Sequence, residues 1–346
     1  MLALALVAPG RVEAVDVPRP EPAPGEVLVA VHAAGLCQTD VHIRRSGDHR
    51  VRVGTILGHE IAGSVAEIGG GVAGWSVGDA VAVYPVWSCG RCRPCLQGRR
   101  NGCAGTGGRM ATPPTPGISM PGGLAEFVRV PSHSLAGITG LDMAVAATMA
   151  DAALSPYSSV RAASCELEPG SVVVVIGVGG LGSMAVQILR ATTGAVVVAL
   201  DVDDAALDRV RAHADHALLS DGAGAAAAVL ALTDGYGAQV VLDFVGSDST
   251  LALAADVVAP FGMIRVTGMA GGALQLRAGA DSRLPRGATI AERLFSGTYA
   301  EFLDVLGLAR RGQLAPEITR FAFVDGVRAL DALEAGEIRG RAVLTV

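Results

Sequence analysis

The chain of 346 residues contains no lysine, so all 27 of its basic residues are arginine. Without lysine there is no Schiff-base chemistry, no pyridoxal-phosphate enzyme of the usual kind and no complete P-loop, whose lysine reaches the phosphates. Aromatic residues are scarce at 4%, and charged residues make up 17% against 51% apolar. The net charge is −6, so the basic face that a general nucleic-acid binder turns to phosphates is not expected. No run of about 20 consecutive apolar residues occurs, so no membrane-spanning helix is expected. The opening Met1–Val7 is apolar but lacks a charged flank and stops at Pro9-Gly10. It reads as a first strand rather than a signal peptide, and the expected location is the cytoplasm. In that setting the six cysteines are thiols or metal ligands rather than disulfides.

What is present divides into two textures. To about residue 145 the chain shows short β-like runs, Glu26–Val31, Ile61–Ile68, Ala80–Tyr84 and Ala125–Val130, broken by turns such as Gly69-Gly70-Gly71 and Gly78-Asp79. This predicts a barrel-like β domain. From about residue 150 apolar strands alternate with helical patterns: Val172–Ile176, helix Leu181–Arg190, Val196–Leu200, helix Asp204–Arg211, then Val240–Val245 and Met263–Thr267. That alternation predicts a parallel, doubly wound sheet. After about Pro285 the character is mixed again, with a helix over Tyr299–Arg311 and a closing strand Arg341–Val346. The expected architecture is α/β, a Rossmann domain over 149–285 inserted in a catalytic β domain formed by 1–148 and 286–346.

Cys89, Cys92, Cys95 and Cys103 follow C-x2-C-x2-C-x7-C, in a lobe spanning about 86–104. Four thiolates this close suit tetrahedral Zn2+ in a closed, structural site, with an iron–sulfur cluster as the rival reading of similar spacing. Arg91, Arg93, Arg99 and Arg100 are interleaved with them and would offset the charge of four thiolates. A second, open site is suggested by Cys37 and His59. Catalytic zinc takes three protein ligands and leaves one position free. Asp151, an acid in an otherwise apolar stretch, is the candidate third ligand, because metal ligation would remove the cost of burying its charge.

Val172–Ile176 runs into Gly177-Val178-Gly179-Gly180-Leu181-Gly182, a G-x-G-x-x-G turn between strand and helix. Asp201 closes the next strand, at the distance where this fingerprint places a carboxylate on the adenosine ribose. Its neighbour is Val202 rather than an arginine, which favours NAD over NADP.

With these motifs in place the chain resembles the zinc-containing medium-chain alcohol dehydrogenases along nearly its whole length. The likeness rests on Gly35–Asp40, on Gly58-His59-Glu60 with Gly63, Gly69 and Val72 behind, on the four-cysteine lobe, on the glycine fingerprint and on the tail Gly340-Arg341-Ala342-Val343. It points most nearly to bacterial NAD-dependent secondary-alcohol dehydrogenases, in which an aspartate takes the place of a second ligand cysteine. The resemblance implies a GroES-like catalytic domain and two zinc ions per subunit. It implies Cys37, His59 and Asp151 as ligands of the catalytic zinc, with Glu60 close behind. It further implies Thr39 as hydrogen-bond partner of the alcohol oxygen, His42 as proton relay, Ser155 near the nicotinamide and Arg341 at the pyrophosphate. Trp87 and Leu124 are candidates for the substrate pocket. A homodimer or homotetramer acting on a small alcohol or carbonyl compound is implied, without nucleic-acid or membrane partners.

The missing lysine supports the same direction. Short-chain dehydrogenases and aldo-keto reductases need a Tyr–Lys pair that this chain cannot supply. Two further substrate readings stay open, a polyol or sugar and a larger biosynthetic metabolite, because Arg44, Arg45, Arg50 and Arg52 would attract an anionic or strongly polar compound. The plainer reading of 44–52 is a solvated loop. A non-catalytic nucleotide-binding relative is the alternative of another class. Cys165 is expected to be an ordinary core thiol.

Overall fold

The apolar run Val172–Ile176 forms one of the two middle strands of a parallel sheet in the computed structural model of the chain, which describes residues 1–46, 51–220, 223–277, 279, 281–292 and 295–346. Among the described residues the sheet has six strands. Their order is His216–Leu219, Val196–Asp201, Val172–Ile176, Ala238–Asp243, Val258–Val266 and Thr289–Ala291. Each neighbouring pair is parallel. Continuous β-branched runs suit strands covered on both faces, and Val173, Val174, Val175 and Val198 are fully buried. Helix Gly180–Thr192 follows the glycine turn and leads to the neighbouring strand Val196–Asp201.

The chain divides into two compact units, Met1–Leu154 with Ser296–Val346, and Ser155–Phe295. The sequence reading set the seams at 148/149 and 285/286. Both lie further on for local reasons. Helix Met143–Thr148 continues through a π-helical turn, Met149–Ala153, into helix Leu154–Ala162, so no break falls at 149. Strand Thr289–Ala291 adds to the parallel sheet beside Val258–Val266, which keeps residues past 285 with the nucleotide-type unit. Cys165 departs from its expectation. It is exposed, in a 3-10 turn at Ser164–Glu166, and not a core thiol.

The first unit is built on the long strand Glu26–Leu36. It pairs antiparallel with Glu60–Ile68 along one edge. On its other edge it pairs with Phe127–Pro131 at its start and with Arg341–Thr345 at its end. Apolar side chains fill the core, among them Val27, Val29 and Val31 at alternating positions of this strand, with Leu57, Ile61, Val81 and Leu344. The register decides the site. Gly35 stands opposite Glu60 on one side, and Leu36 stands opposite Ala342 on the other. Residues far apart in sequence, near 37, 60 and 341, therefore meet at one level of the sheet.

Candidate active site and second metal centre

Cys37 sits between the end of strand Glu26–Leu36 and the start of helix Gln38–Ser46, and His59 immediately precedes strand Glu60–Ile68. Asp151 lies within the π-helical turn Met149–Ala153. Such turns expand the helix by a residue and recur at functional positions. Cys37 Sγ is 3.3 Å from Asp151 Oδ2, and His59 Nε2 is 3.6 Å from the same oxygen. One donor atom from each of the three lies within 4.8 Å of the others. Cys37 and His59 are each 5% exposed.

Glu60 and Arg341 complete the cluster. Arg341 Nε donates to Glu60 Oε2 at 3.1 Å, its terminal nitrogen pairs with Glu60 Oε1, and the same nitrogen donates to Asp151 Oδ2 at 3.0 Å. Glu60 Oε1 also accepts from the Ala152 backbone N–H at 3.1 Å, which ties the aspartate's turn to the sheet. Gly35 makes room for this arrangement, since a methyl group there would overlap the Glu60 carboxylate. Asp40, fully buried, accepts from the Cys37 N–H at 2.9 Å and the Gly58 N–H at 3.3 Å. One carboxylate thus braces the segments that carry two of the three donors.

The electrostatics fit a bound dication. Cys37, Asp40, Glu60 and Asp151 supply four acidic groups around one permanent cation, Arg341. Burial raises Glu60 to about 7, against the pull of the Arg341 guanidinium. Burial also raises Asp40, against His59 and the amides it accepts from. Asp151 moves the other way. Burial opposes its charge, but His59 and Arg341 hold it below the usual carboxylate range. His59 is raised well above the usual imidazole value although burial opposes it, because it faces Asp151 and Cys37. A buried pocket that raises two acids and favours a proton on its histidine is short of positive charge, and a metal ion supplies it. Thiolate, imidazole and carboxylate together are zinc donors.

The four cysteines form a separate cluster, again with one sulfur each within 4.8 Å of the others. Cys92 Sγ lies 3.4 Å from Cys95 Sγ and 3.9 Å from Cys103 Sγ. Four sulfurs at Zn–S distances of 2.3 Å would stand about 3.8 Å apart, so the set is close to its ligating geometry. Backbone N–H groups of Cys95 and Ala104 lower Cys92 to about 6, which favours the thiolate that a metal needs.

In the second unit Gly177 begins the glycine turn with a φ of +80°, and Gly182 packs so closely on the Gly177 carbonyl that a methyl group would overlap it. Asp201 ends its strand beside this turn. Its Oδ2 accepts from Val178 N–H at 2.7 Å and its Oδ1 from Asp203 N–H at 3.1 Å. Val202 is exposed next to it.

The remaining sequence-read residues are placed as follows. Thr39 Oγ1 is 3.7 Å from Cys37 Sγ, and His42 is exposed one helical turn further along Gln38–Ser46. Ser155 is buried and belongs to the second unit. Arg341 is buried against Glu60 and Asp151, so the carboxylates already engage the guanidinium assigned to pyrophosphate. Trp87 and Leu124 are both buried in the core of the first unit. Trp87 lines a cavity of about 580 Å3 together with Cys89, Cys103, Met120 and Phe127, and Leu124 packs against Gly58. Arg44 pairs with Asp331 and Glu334, and Arg45 pairs with Glu334. These two arginines bind the helix Gly326–Glu334, which removes them from a reading as free attractors of an anionic substrate. Arg50 lies outside the described residues.

Sequence reasoning gave Asp40 no role of its own. In the sequence it closes the Gly35–Asp40 motif, an acid three residues after a candidate ligand. Asp40→Ala is expected to weaken metal retention about tenfold or more, the usual cost of losing a group that orients ligands. Zinc release to a graded chelator measures it.

A doubly wound nucleotide unit joined in one chain to a β unit with two zinc-type donor sets defines a metal-dependent dehydrogenase of two-unit architecture. The comparisons agree. Residues 23–140 match the alcohol dehydrogenase GroES-like domain family, and residues 180–309 match the zinc-binding dehydrogenase family. An NAD-dependent alcohol dehydrogenase of Sulfurisphaera tokodaii is 34% identical, covering 99% of both chains. The crystal structure of the alcohol dehydrogenase from the archaeon Aeropyrum pernix is similar at a TM-score of 0.91 and 30% identity, with both chains covered in full. The structure of acetophenone reductase from Geotrichum candidum in complex with NAD is similar at a TM-score of 0.84 and 31% identity, covering 99% of this chain and 96% of that one. The chain belongs to the zinc-containing medium-chain alcohol dehydrogenase family, and is an oxidoreductase acting on CH–OH groups. The sequence reading set the likeness among bacterial enzymes. The Sulfurisphaera and Aeropyrum relatives are archaeal instead.

Proposed function

We propose that this protein interconverts a secondary alcohol and its ketone, using NAD(H) at the glycine turn and zinc at Cys37, His59 and Asp151. The observation that carries the reading is the convergence of those three donors, from three separate segments, within 4.8 Å. Zinc bound there supplies Lewis-acid chemistry, lowering the pKa of an alcohol or polarising a carbonyl. The nicotinamide supplies the hydride acceptor or donor. The chain's own side chains do the rest. Thr39, beside Cys37, takes the hydroxyl proton as it releases its own, and His42, three residues further along the same helix, hands a proton on to solvent. Glu60 and Arg341 hold Asp151 in place, and Ser155 faces the nicotinamide. The four-cysteine lobe is structural.

Asp201 is the proposed ribose ligand. Hydrogen bonds to a charged group are worth about 1.5–3 kcal/mol each, so Asp201→Ala is expected to raise the KM for NAD about tenfold or more. Removing the negative charge is expected to narrow the preference over NADP at the same time. Steady-state kinetics with both cofactors measure the two effects. No described helix is long and apolar enough to cross a membrane. A cytoplasmic homodimer or homotetramer completes the reading, with sedimentation velocity as its check.

The function itself is tested by NADH absorbance with a panel of secondary alcohols and ketones, before and after chelation. Turnover that disappears with chelator and returns with Zn2+ is the expected result. Zinc-replete protein that turned over no compound of a broad panel and bound no NADH would overturn it.

A further inference from the structure

Asp243 closes strand Ala238–Asp243 and stands opposite Ile176 in the parallel ladder, one residue before the glycine turn. The chain leaves Val172–Ile176 toward one side of the sheet and returns to Ala238–Asp243 on the other. The reversal therefore lies between these two strands, and ligands of open α/β sheets bind at the carboxyl ends of such a switch point.

The side chain of Asp243 is fully buried there. Its Oδ1 accepts from Val245 N–H at 2.8 Å and from Gly246 N–H at 2.9 Å, which fixes the turn after the strand. Its backbone carbonyl accepts from Thr267 N–H at 2.8 Å and Gly268 N–H at 3.1 Å, which ties the loop after the next strand to the same point. The two loops are joined again where Ala270 N–H donates to the Val245 carbonyl at 3.0 Å. So held, the Val245 side chain covers the place where Gly177 would carry a Cβ, and the Phe244 ring lies beside Gly182.

The other carboxylate oxygen, Oδ2, has no hydrogen-bond partner among the described residues. A buried carboxylate with half of its acceptors unused is costly. Asparagine would accept from the same two amides without a buried charge. What this position requires of its side chain is therefore an oxygen that accepts from both amides, at the ligand end of the sheet.

We infer that Asp243 is a positioning residue for cofactor binding, holding the Phe244–Gly246 turn as the wall of the crevice opposite the glycine turn. The inference rests on the NAD reading of that turn. It is tested on the zinc-replete protein by NADH fluorescence titration, by KM for NAD and kcat, and by thermal midpoint. Asp243→Ala is expected to raise the NADH Kd and the KM for NAD about tenfold, while kcat at saturating NAD stays within about threefold. Asp243→Asn, which keeps an accepting oxygen for both amides, is expected to restore affinity to within about threefold of the parent. Val229→Ala, in the buried core of the same unit, is expected to lower the thermal midpoint and leave the NADH Kd unchanged. Should Asp243→Ala not fold, Asp243→Ser replaces it, because its hydroxyl oxygen is one bond shorter in reach than the carboxylate oxygen that both amides now use, and a loss of the same sign is expected. An NADH Kd within twofold of the parent for the alanine or serine variant would overturn the inference, as would an asparagine variant as weak as alanine. Failure of the parent protein itself to bind NADH would remove the NAD reading and the inference together, an outcome separate from a parent that binds and variants that do not weaken.

Discussion

Cys37→Ala is expected to cut turnover by about a thousandfold or more while the NADH Kd stays within about twofold of the parent. The asymmetry follows from where the two functions are built. Cys37, His59 and Asp151 all belong to the unit Met1–Leu154 with Ser296–Val346, and the glycine turn belongs to Ser155–Phe295. Removing the thiol leaves one imidazole and one carboxylate, too few ligands to retain a catalytic zinc against three-ligand sites. Losing a Lewis acid costs several kcal/mol of transition-state stabilisation, and three decades of rate correspond to about 4 kcal/mol. The fold should tolerate the change, because Asp40 continues to hold the Cys37 N–H, which alanine retains. Metal analysis should find one zinc per chain in the variant against two in the parent. Retained turnover with one zinc would mean that the cluster is not the reaction centre.

The second large effect is on stability. Cys103→Ala is expected to lower the thermal midpoint by about 10 °C or more and to reduce zinc from two ions per chain to one. Structural zinc contributes about 10–16 kcal/mol to the folding of small finger peptides, and the lobe around these cysteines has little regular structure. Its regular structure amounts to the short helix Arg93–Leu96 and two 3-10 turns at Arg100–Gly102 and Ala104–Thr106. Leu96 is largely exposed, and the buried apolar residues of the lobe are Val86 and Trp87 at its start and the ligand thiols Cys95 and Cys103. The lobe is therefore expected to unravel before the sheet that carries it. Calorimetry with metal analysis reads both quantities. Turnover by the surviving folded fraction at low temperature is expected to persist, which separates this centre from the Cys37 cluster.

Much of this was legible in the chain because the signals are local. The Val172–Ile176 run, the glycines after it and the acid ending the next strand occupy one short stretch, and each has a physical reason to be where it is. The four cysteines lie within 15 residues. Cys37 and His59 stood apart in sequence, and Asp151 entered as an acid that an apolar stretch had to account for. Less legible were groups whose meaning depends on partners. Arg44 and Arg45 looked free until the helix carrying Asp331 and Glu334 packed against them. Cys165 belongs to neither donor set and was expected to be a core thiol, but its 3-10 turn leaves it exposed. Asp40 and Asp243 carry no motif of their own, since what they hold is backbone.

The sequence by itself determined the chemistry that is open to this protein. A chain without lysine, with two sets of metal-type donors and one glycine fingerprint, has metal and hydroxyl groups rather than a Tyr–Lys pair with which to move a proton. The tertiary structure decided which residues act together. The pairing of strand Glu26–Leu36 with Glu60–Ile68 on one side and Arg341–Thr345 on the other set Glu60 and Arg341 against Asp151. A π-helical turn aimed that aspartate at Cys37. Strand register and helix pitch are properties of the whole packed unit, and a one-residue slip of its strand would turn Glu60 or Arg341 to the opposite face.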